Sequence, residues 1–559
     1  MAVVSDDTEA TRRPGAAPRR GAALLRVALG AFSGLLAGAS ALAVAELAAV
    51  PVRREASPVT AVGGAVIDLT PTPVKEFAVR TFGNDDKLYL QLGILALLTL
   101  FALALGVLAL RLRRTGSAGV LLFGVVGVVA ALSRPESRAA DVLPSLVGAV
   151  AGAGVLFLLA GRLARITPAA AAGPAASSAR TGQRLSQDAP RFGTAGSFDR
   201  RGFVLTAGAA AAVSTGAAVA GRRLQAAGAA QAVASREAVR LPAPASRAAP
   251  VPAGARPDVP GLSAFTTPNA DFYRVDTALV IPRVNADSWR LRLHGRGVTR
   301  ELTLSYQDLL ERDLIERDIT LTCVSNEVGG PYVGNARWLG VPLAELLREA
   351  GVRPPSAGGP ADQLVARSVD GMTLGTPVET VLDGRDAMLA VGMNGEPLPF
   401  THGFPVRMLV PGLYGYVSAC KWLKDLELST FDDYDTYWVK RDWSQRAPVK
   451  TQSRIDTPKP FATPKAGTVP VAGVAWAQHR GIDRVEVRVD GGSWQRARLA
   501  AEDSRDTWRQ WVWQWPATSG SHTLEVRATD RTGRTQTADR AGTVPNGATG
   551  RHSVVVNVD

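Results

Sequence analysis

The sequence predicts a multi-domain protein with N-terminal transmembrane helices, a mixed α+β domain and a C-terminal immunoglobulin-like β-sandwich. Three observations carry this prediction. All eleven tryptophans lie from Trp289 onward, whereas residues 1–260 consist mainly of Ala, Gly, Leu, Val and Arg. The first part also holds long uncharged apolar stretches, and the last hundred or so residues alternate apolar and polar side chains. A chain of 559 residues is moreover too long for a single core.

Four apolar stretches in the first part are long enough to cross a bilayer, which requires about 20 residues with a lower limit of ~17. They cover residues 23–50, 88–110, 117–133 and 142–160, and the last three carry no charge. A fifth, weaker stretch of Ala, Gly, Val, Ser and Thr covers residues 203–221. Soluble helices of this length have a polar face and these have none, so we expect about five transmembrane helices.

The fifth stretch follows a pair of arginines in the segment 197–204, Ser-Phe-Asp-Arg-Arg-Gly-Phe-Val. Paired arginines, a spacer, a Phe and a mildly apolar helix resemble a twin-arginine export signal, which directs folded proteins across a membrane. The alternative is that Arg200 and Arg201 are only flanking positive charges. We favour the export signal because the motif and the weak apolar run coincide.

Arginine counts predict the topology. Residues 1–22, 111–116 and 161–202 together hold 14 arginines, whereas 51–87 and 134–141 together hold five arginines and two lysines, Lys75 and Lys87. Because cytoplasmic loops collect positive charge, we expect a multi-pass protein of the cell membrane with a cytoplasmic N-terminus and an extracytoplasmic catalytic part. The predicted parts are a membrane anchor (1–221), an Ala/Pro-rich linker (222–256), an α+β domain (257–446) and a β-sandwich (455–559).

Composition argues against several functions. The net charge of +13 comes partly from arginines beside apolar stretches, so we expect no nucleic-acid partner. The spans lack mid-membrane ionisable groups, which argues against a transporter. Residues 2–293 contain neither His nor Met and the chain has no CxxCH, so no haem is expected in it. Two cysteines make neither a disulfide framework nor a zinc spacing.

Cys323 is the residue most indicative of chemistry. It follows a short β-branched strand over 318–322 and precedes Ser325-Asn326 and Gly329-Gly330-Pro331, and residues 341–350 predict a short amphipathic helix. A thiolate there suits a thiophilic metal, and nearby glycines allow a bulky ligand to approach the backbone. From chemistry alone, a small buried core residue is the more common role of such a cysteine.

Six short strings spread along residues 257–446 favour the role of Cys323 as a metal ligand over that of a core residue. They are Thr-Thr-Pro-Asn-Ala-Asp-Phe-Tyr-Arg-Val (266–275), Thr-Leu-Thr-Cys-Val-Ser-Asn (320–326), Ala-Arg-Trp-Leu-Gly-Val-Pro-Leu (336–343), Met-Asn-Gly-Glu-Pro-Leu-Pro (393–399), His-Gly-Phe-Pro-Val-Arg (402–407) with Val-Pro-Gly (410–412), and Lys-Trp-Leu (421–423). In this order they resemble the molybdopterin domain of the sulfite oxidase family. The resemblance implies a sulfite-oxidase-type α+β fold and a molybdenum–molybdopterin cofactor (Moco).

The resemblance also implies roles for individual residues. Cys323 matches the catalytic cysteine whose sulfur binds molybdenum. Arg and Lys suit a phosphate, and paired donors and acceptors suit a pterin edge. The residues that fall at or near cofactor-binding positions are Asn269, Phe272, Arg274, His402, Arg407, Ser418 and Lys421. Asp370 and Thr373 are further candidates for lining the site. The alternative for each is a surface ion pair or a core polar residue.

Two departures from the family pattern concern the substrate. Glu327 and Val328 stand where a cationic residue follows the metal cysteine in sulfite oxidases, and a carboxylate beside the metal would repel sulfite. The family's active-site tyrosine is replaced in Arg441-Asp442-Trp443. Oxygen-atom transfer is therefore expected, whereas specificity for sulfite is in doubt and a neutral or cationic substrate is expected instead.

The last part of the chain alternates with period two over 485–489, 524–528 and 553–558, which is typical of an immunoglobulin-like sandwich. Gly473-Val474-Ala475-Trp476, Asp490-Gly491-Gly492 and Trp508-Arg509-Gln510-Trp511 resemble the dimerisation domain of the same family. The resemblance implies a homodimer.

We therefore expect a membrane-anchored enzyme that transfers an oxygen atom to or from a small-molecule substrate and exchanges electrons with a separate carrier. Two alternatives stay open. One is a non-catalytic envelope protein that binds a partner and retains the fold. The other, within the same family, is a reductase of sulfoxides or N-oxides.

Overall fold

The structure, a computed structural model, describes residues 17–71, 86–134, 137–163 and 200–559, together with 74, 77, 81 and 82. These form two compact units, Met1–Ala227 and Gly228–Asp559. Several charges used in the topology prediction lie outside the described residues, among them Arg12, Arg13, Lys75 and Arg80. The start of the paired-arginine motif, 197–199, also lies outside them, whereas Arg200 and Arg201 begin a helix.

The first unit is helical. Its helices are α1 (Ala17–Ala49), α2 (Pro58–Leu69), α3 (Asp86–Ala109), α4 (Arg113–Leu132), α5 (Leu143–Leu163) and α6 (Arg200–Ala238). Five helices in the described residues are long and apolar enough to cross a membrane, and they coincide with the five predicted stretches. The sequence analysis did not predict α2, whose 12 residues are too few for a span.

Small residues allow these helices to pack closely. Gly34 of α1 lies against Gly106 of α3, and a side-chain carbon on either would clash with the backbone of the other helix. Leu105, Leu156 and Ala160 pack together in the bundle. Many larger apolar side chains point outward instead, for example Leu97, which is 69% exposed.

Helix α6 differs from the prediction of a linker over 222–256. It continues to Ala238, because residues 205–238 contain no proline and many alanines, the residue with the highest helix propensity. Beyond it the chain is extended, and Val239, Leu241 and Val251 pack against the core of the second unit. The linker prediction is therefore wrong for residues 222–238.

The α+β domain contains two sheets. The first has the strand order β2-β1-β10-β5-β6, in which β1 and β10 are parallel and the other pairs antiparallel. The second has the order β3-β4-β7-β8, with β9 also paired to β7. The strands are β1 (Arg290–Gly295), β2 (Leu302–Ser305), β3 (Ile315–Thr322), β4 (Val333–Pro342), β5 (Gln363–Ser368), β6 (Thr373–Pro377), β7 (Met388–Met393), β8 (Glu396–Pro397), β9 (Arg407–Leu409) and β10 (Leu423–Ser429).

Short helices connect these strands: α7 (Tyr306–Leu310), α8 (Leu343–Glu349), α9 (Val378–Leu382) and α10 (Gly415–Ser418). Strand β3 and helix α8 confirm the strand and helix predicted on either side of Cys323. The strand order places β3 at the edge of its sheet, so one of its sides is open to another part of the chain.

The C-terminal domain is a sandwich of two antiparallel four-stranded sheets, as predicted. One sheet has the order β11-β12-β16-β15 and the other β14-β13-β17-β18. Their strands are β11 (Gln452–Thr457), β12 (Gly467–Trp476), β13 (Ile482–Val489), β14 (Gln495–Arg496), β15 (Arg498–Leu499), β16 (Arg509–Ala517), β17 (Gly520–Asp530) and β18 (His552–Val558).

Apolar contacts join the sandwich to the α+β domain. Trp511 and Trp515 lie in the sandwich core, whereas Trp476 and Trp508 belong to the core of the α+β domain, together with Trp338. The two domains thus share buried surface within the second unit, and these tryptophans serve packing.

Candidate active site

A cavity of about 130 Å³ lies at the end of β3. Segments from across the α+β domain surround it, because β3, β9, α10 and the loops 273–277 and 437–443 all reach this point. The side chains that line the cavity include Tyr273, Asp276, Cys323, Ser325, Asp370, Met372, Leu374, Arg407, Tyr416, Cys420, Lys421, Trp438 and Trp443.

Cys323 stands directly after β3. Its backbone N–H donates to the carbonyl of Tyr332 at 3.0 Å, which continues the β3–β4 pairing by one residue. Its Sγ lies 2.9 Å from Ser325 Oγ. Burial raises the pKa of the Cys323 thiol, and the hydrogen bond from Ser325 and the charge of Lys421 partly offset this rise. The site therefore holds a buried sulfur with cationic assistance nearby.

Arg407 supplies a buried cation. It begins β9, and burial lowers the pKa of its guanidinium to about 10. Its Nη1 donates to the His402 carbonyl at 3.5 Å, and its Nε has no hydrogen-bond partner. In the described part of the chain no carboxylate lies within ion-pair distance of it. A buried, uncompensated cation is costly, so this arrangement is typical of a site for an anion.

Lys421 supplies a second cation, but it is paired. Its Nζ donates to Asp276 Oδ2 at 2.7 Å and to the carbonyl of Thr401 at 3.4 Å, and it lies over the ring of Trp422. Only 4% of the Asp276 side chain is exposed, so this is a buried ion pair. Arg274 approaches the same carboxylate at 3.5 Å.

His402 lies behind the cavity rather than in its lining. Its Nε2 is 3.0 Å from the carbonyl of Asn269, and its ring packs edge-on against Phe272. Burial, together with the charge of Arg407, lowers the pKa of His402 to about 4, so the ring is neutral at pH 7. A neutral His402 therefore supports the segment that carries Arg407 without adding charge.

We call the side chains Tyr273, Cys323, Ser325, Arg407 and Lys421 the thiol wall. Burial raises the pKa of Tyr273, and the nearby Cys323 raises it further. Cys420 also borders the cavity, and burial raises the pKa of its thiol. Within the described part of the chain, its Sγ makes one hydrogen bond, to the carbonyl of Lys421 at 3.7 Å. Cys420 thus lacks the hydroxyl partner that Cys323 has.

We call Tyr416, Trp438 and Trp443 the aromatic wall. The ring centroids of Tyr416 and Trp443 are 5.6 Å apart, and those of Trp438 and Trp443 are 6.0 Å apart. Met372 and Leu374 add further apolar surface. Both tryptophans are only half-buried, so this wall is apolar, aromatic and partly open to solvent.

Most residues that line the cavity lie within a stretch that matches a known family. Residues 278–438 match the oxidoreductase molybdopterin binding domain, and residues 452–526 match a bacterial Ig domain. The first match identifies residues 278–438 as a molybdopterin-binding oxidoreductase domain. The second match agrees with the sandwich seen in the structure.

Individual members of the sulfite oxidase family and related enzymes cover the same region. The chain is 30% identical over 306 residues to the mitochondrial sulfite oxidase of Homo sapiens, covering 47% of this chain and 55% of that one. It is 32% identical over 290 residues to the sulfite oxidase of Gallus gallus, covering 44% and 62%. It is 28% identical over 347 residues to an inducible NADH nitrate reductase of Glycine max, covering 52% and 38%. The chain thus spans little more than half the length of the human relative.

The cavity residues fit the cofactor of the sulfite oxidase family. The buried Nε of Arg407 has no partner, which is expected of a group that binds a phosphate or another anion. Cys323 provides a soft sulfur ligand on the same cavity. In the residues that the structure describes, no group of three or more His, Cys, Asp or Glu could bind a metal. The Cys323 thiolate together with the organic part of the cofactor would be a suitable donor set for molybdenum.

The structure brings several of the predicted site residues together. Cys323, Arg407, Lys421 and Asp370 all line the cavity, although they come from four separate segments. Phe272 and His402 form a layer behind it. Arg274 reaches the site through its ion pair with Asp276.

Three further predicted residues also lie outside the cavity lining. The Asn269 side chain contacts the β7–β8 turn, where it accepts a hydrogen bond from Asn394 at 2.9 Å. The Ser418 hydroxyl donates within its own turn, to the carbonyls of Leu413 and Tyr414. Thr373 accepts from the backbone N–H of Tyr437 at 3.0 Å. Their polar groups are engaged in local structure, which sequence spacing cannot reveal.

Glu327 requires a correction to the electrostatic argument. Its side chain is exposed and does not line the cavity, because the turn after Cys323, closed by Asn326 N–H donating to the Cys323 carbonyl, carries it outward. The prediction that the Glu327 carboxylate lies beside the metal and repels sulfite is therefore wrong.

The sequence analysis missed Ser325, Asp276 and the aromatic wall. Asp276 directly follows the matched string that contains Tyr273, and Ser325 lies inside another matched string. The matched strings therefore pointed to both segments. In the sequence, Trp443 stood out only because its segment replaces the family's active-site tyrosine. The signal that could have located it is a dense aromatic run, Tyr437-Trp438 and Trp443, within a polar segment.

Proposed function

We propose that the protein transfers an oxygen atom to or from a small molecule at a molybdenum–molybdopterin centre in the Cys323 cavity. The observation that carries this proposal is the coincidence, on one cavity, of a buried thiol and a buried guanidinium without a carboxylate partner. Oxygen-atom transfer coupled to two-electron exchange is the chemistry that the cofactor supplies when bound.

The chain's own residues would hold and shield this centre. Cys323 would contribute the metal-binding sulfur, with the Ser325 hydroxyl orienting it from 2.9 Å. Arg407 would bind an anionic part of the cofactor, and Lys421, already paired with Asp276, would add positive potential. Phe272 and His402, as the layer behind the cavity, would exclude water from that side.

The aromatic wall supports an uncharged or cationic substrate over sulfite. Of the residues that line the cavity, Arg407 and Lys421 are the cations, and we assign both to the cofactor. What is left for the substrate is Tyr416, Trp438 and Trp443, with the carboxylate of Asp370 nearby. Aromatic faces attract apolar groups and cations, so a sulfoxide, thioether or N-oxide suits this surface better than an anion.

We further propose that the helices of the first unit anchor the protein in the cytoplasmic membrane. Five helices of suitable length with outward-facing apolar side chains support this proposal. The arginine distribution supports a cytoplasmic N-terminus, an extracytoplasmic second unit and export of α6 behind the paired arginines. The boundaries of the membrane anchor (1–221), the α+β domain (257–446) and the β-sandwich (455–559) belong to the same proposal.

Electrons would pass to or from a separate carrier, because the chain has no CxxCH and no His or Met in residues 2–293 for a haem of its own. The resemblance of residues 455–559 to a dimerisation domain supports a homodimer.

The decisive experiment is to purify the full chain in detergent from a host that makes molybdopterin, and to measure its molybdenum content. We expect stoichiometric molybdenum and turnover with artificial electron donors or acceptors. A panel of sulfite, a thioether, a sulfoxide and an N-oxide would then establish the direction of turnover. Preference for sulfite over every uncharged compound would contradict the substrate argument.

The rival function is a non-catalytic envelope protein that binds a partner. It would retain both folds but would have no use for an uncompensated Arg407 beside Cys323. Absence of molybdenum from protein made in a cofactor-competent host would favour this rival and reject the enzyme.

A further inference from the structure

The C-terminal sandwich contacts the segment that carries Cys323 on both sides of the cysteine. On one side are Thr320 and Thr322 of β3, and on the other are Gly329 and Gly330 of the following loop. None of the sandwich residues involved lines the cavity. The contacts therefore act on the position of Cys323 without touching the substrate.

The upstream contact completes the open edge of β3. The N–H of Thr320 donates to the carbonyl of Asp506 at 2.9 Å, and Trp508 N–H donates to Thr320 Oγ1 at 2.7 Å. The amide of Gln478 donates to the Thr320 carbonyl at 3.0 Å and to Thr322 Oγ1 at 2.9 Å. The sandwich thus satisfies the backbone groups of Thr320 that point away from β4.

Gln478 is the central residue of this contact. It is 1% exposed, and its amide nitrogen has two hydrogens and two acceptors, both on the strand that ends at Cys323. Thr320, which it contacts, is itself 2% exposed. A fully buried amide with both donors engaged holds its acceptors in a defined place.

The downstream contact restrains the loop after Cys323. Arg454 of β11 donates from Nη1 to the carbonyl of Gly330 at 2.9 Å. Gly329, at φ +78°, lies so close to the ring of His552 that any side chain there would clash with it. Only glycine fits this position, so the loop is seated directly on the sandwich.

We propose that the sandwich is a positioning element for the Cys323 sulfur, with Gln478 as its principal positioning residue. This deepens the function proposed above and rests on it. A metal ligand keeps its orientation through the groups that hold its backbone, and losing such groups commonly costs a metal site about 10–100-fold in affinity or activity. The sandwich therefore contributes to the metal centre as well as to any dimer contact.

The test is Gln478→Met in the full chain, which keeps the side-chain length but removes both donors. Gln495→Met is the matched control, because Gln495 is an exposed glutamine of the same sandwich. We expect Q478M to retain molybdenum while its turnover falls about 10–100-fold and the electron paramagnetic resonance signal of its one-electron-reduced centre shifts. Q495M should match the wild type in both.

Hydrogen exchange on metal-free protein gives a readout that does not depend on the cofactor. Q478M should speed exchange over residues 320–332, above all at the Cys323 amide, and leave the β5–β6 hairpin unchanged. Unchanged exchange, spectrum and turnover in Q478M would overturn the proposal. A fall in turnover that only follows loss of molybdenum or of folded protein would overturn it as well.

If Q478M does not fold, Thr322→Val replaces it. This variant keeps the shape of the β3 side chain and removes one of the two acceptors of Gln478, so a smaller shift in the same direction is expected. Should the wild type bind no molybdenum, the proposed function fails. The exchange experiment would still decide whether the sandwich holds the segment.

Discussion

Cys323 and Arg407 of the thiol wall stand at buried strand ends, whereas the aromatic wall comes largely from a half-exposed loop. Cys323 follows β3 and Arg407 begins β9, and each is held by backbone pairing within the sheet. Trp438 and Trp443 belong to the segment after β10 and pack against each other. The comparison teaches that the groups that would bind a cofactor are held rigidly, whereas the surface that would meet substrate is easier to vary.

The two buried thiols give the largest expected contrast. Cys323→Ser should abolish turnover and change the spectrum of the metal, because a hydroxyl is a poor replacement for a soft thiolate. Cys420→Ser should retain molybdenum and turnover, since Cys420 has only a carbonyl contact at 3.7 Å. Molybdenum analysis and turnover of both variants check this. An equal loss of molybdenum and turnover in both variants would mean that the intact cavity, and not the Cys323 sulfur, is required for the metal centre.

The buried Arg407 and the partly buried Arg480 should respond in opposite ways to replacement by methionine. Arg407 has no carboxylate partner, so Arg407→Met should leave metal-free protein as stable or make it up to about 1–4 kcal/mol more stable, while molybdenum content falls. Arg480 pairs with the buried Asp530 at 2.9 Å, so Arg480→Met should destabilise by about 3–5 kcal/mol.

Unfolding in denaturant, followed by tryptophan fluorescence, measures both arginine variants. Every tryptophan lies from Trp289 onward, so the signal reports on the second unit alone. Strong destabilisation by Arg407→Met would mean that its charge is structural and would remove the main support for an anion site.

His402 gives a smaller effect that depends on pH. Its pKa is about 4 in the folded state, below the ordinary 6.5, so the unfolded state binds the proton more readily. The stability from neutral His402 is therefore complete above pH 6.5 and is lost as the pH falls towards 4, by up to about 3 kcal/mol.

His402→Gln should reduce this pH dependence in metal-free protein. Denaturant midpoints at pH 7.5 and pH 4.5 provide the measurement. His552, whose pKa burial also lowers to about 4, contributes with the same sign, so H402Q should remove only part of the slope. An unchanged slope in H402Q would show that His402 is not held neutral.

The aromatic wall should give the smallest effect and the most selective one. Trp443→Ala should weaken substrate binding by about 1 kcal/mol, roughly a fivefold rise in KM, with molybdenum content unchanged. Trp494→Ala is the control, because Trp494 lies in the sandwich beside Arg488 and Arg527. Loss of molybdenum from W443A would place Trp443 with the cofactor and would erase the distinction between the walls.

Much of the architecture was predictable because it depends on short-range pattern. Apolar length indicated the five long helices, and the end of a β-branched strand located Cys323. Matched strings brought Arg407 and Lys421 into consideration. The roles of Ser418 and Asn269 were not predictable, because a hydroxyl can turn towards its own backbone, as Ser418 does, and an amide can bond a distant turn, as Asn269 does with Asn394.

The sequence by itself determined the order of the parts, the position of the thiol at a strand end and the chemical types of its neighbours, since these follow from local periodicity and side-chain chemistry. Only the tertiary structure decided that Arg407 lacks a carboxylate, that Lys421 has Asp276, and that Gln478 reaches β3 from the sandwich. The physical reason is that charge compensation and hydrogen-bond partnership depend on residues far apart in the chain. Their proximity is set by the packing of whole domains.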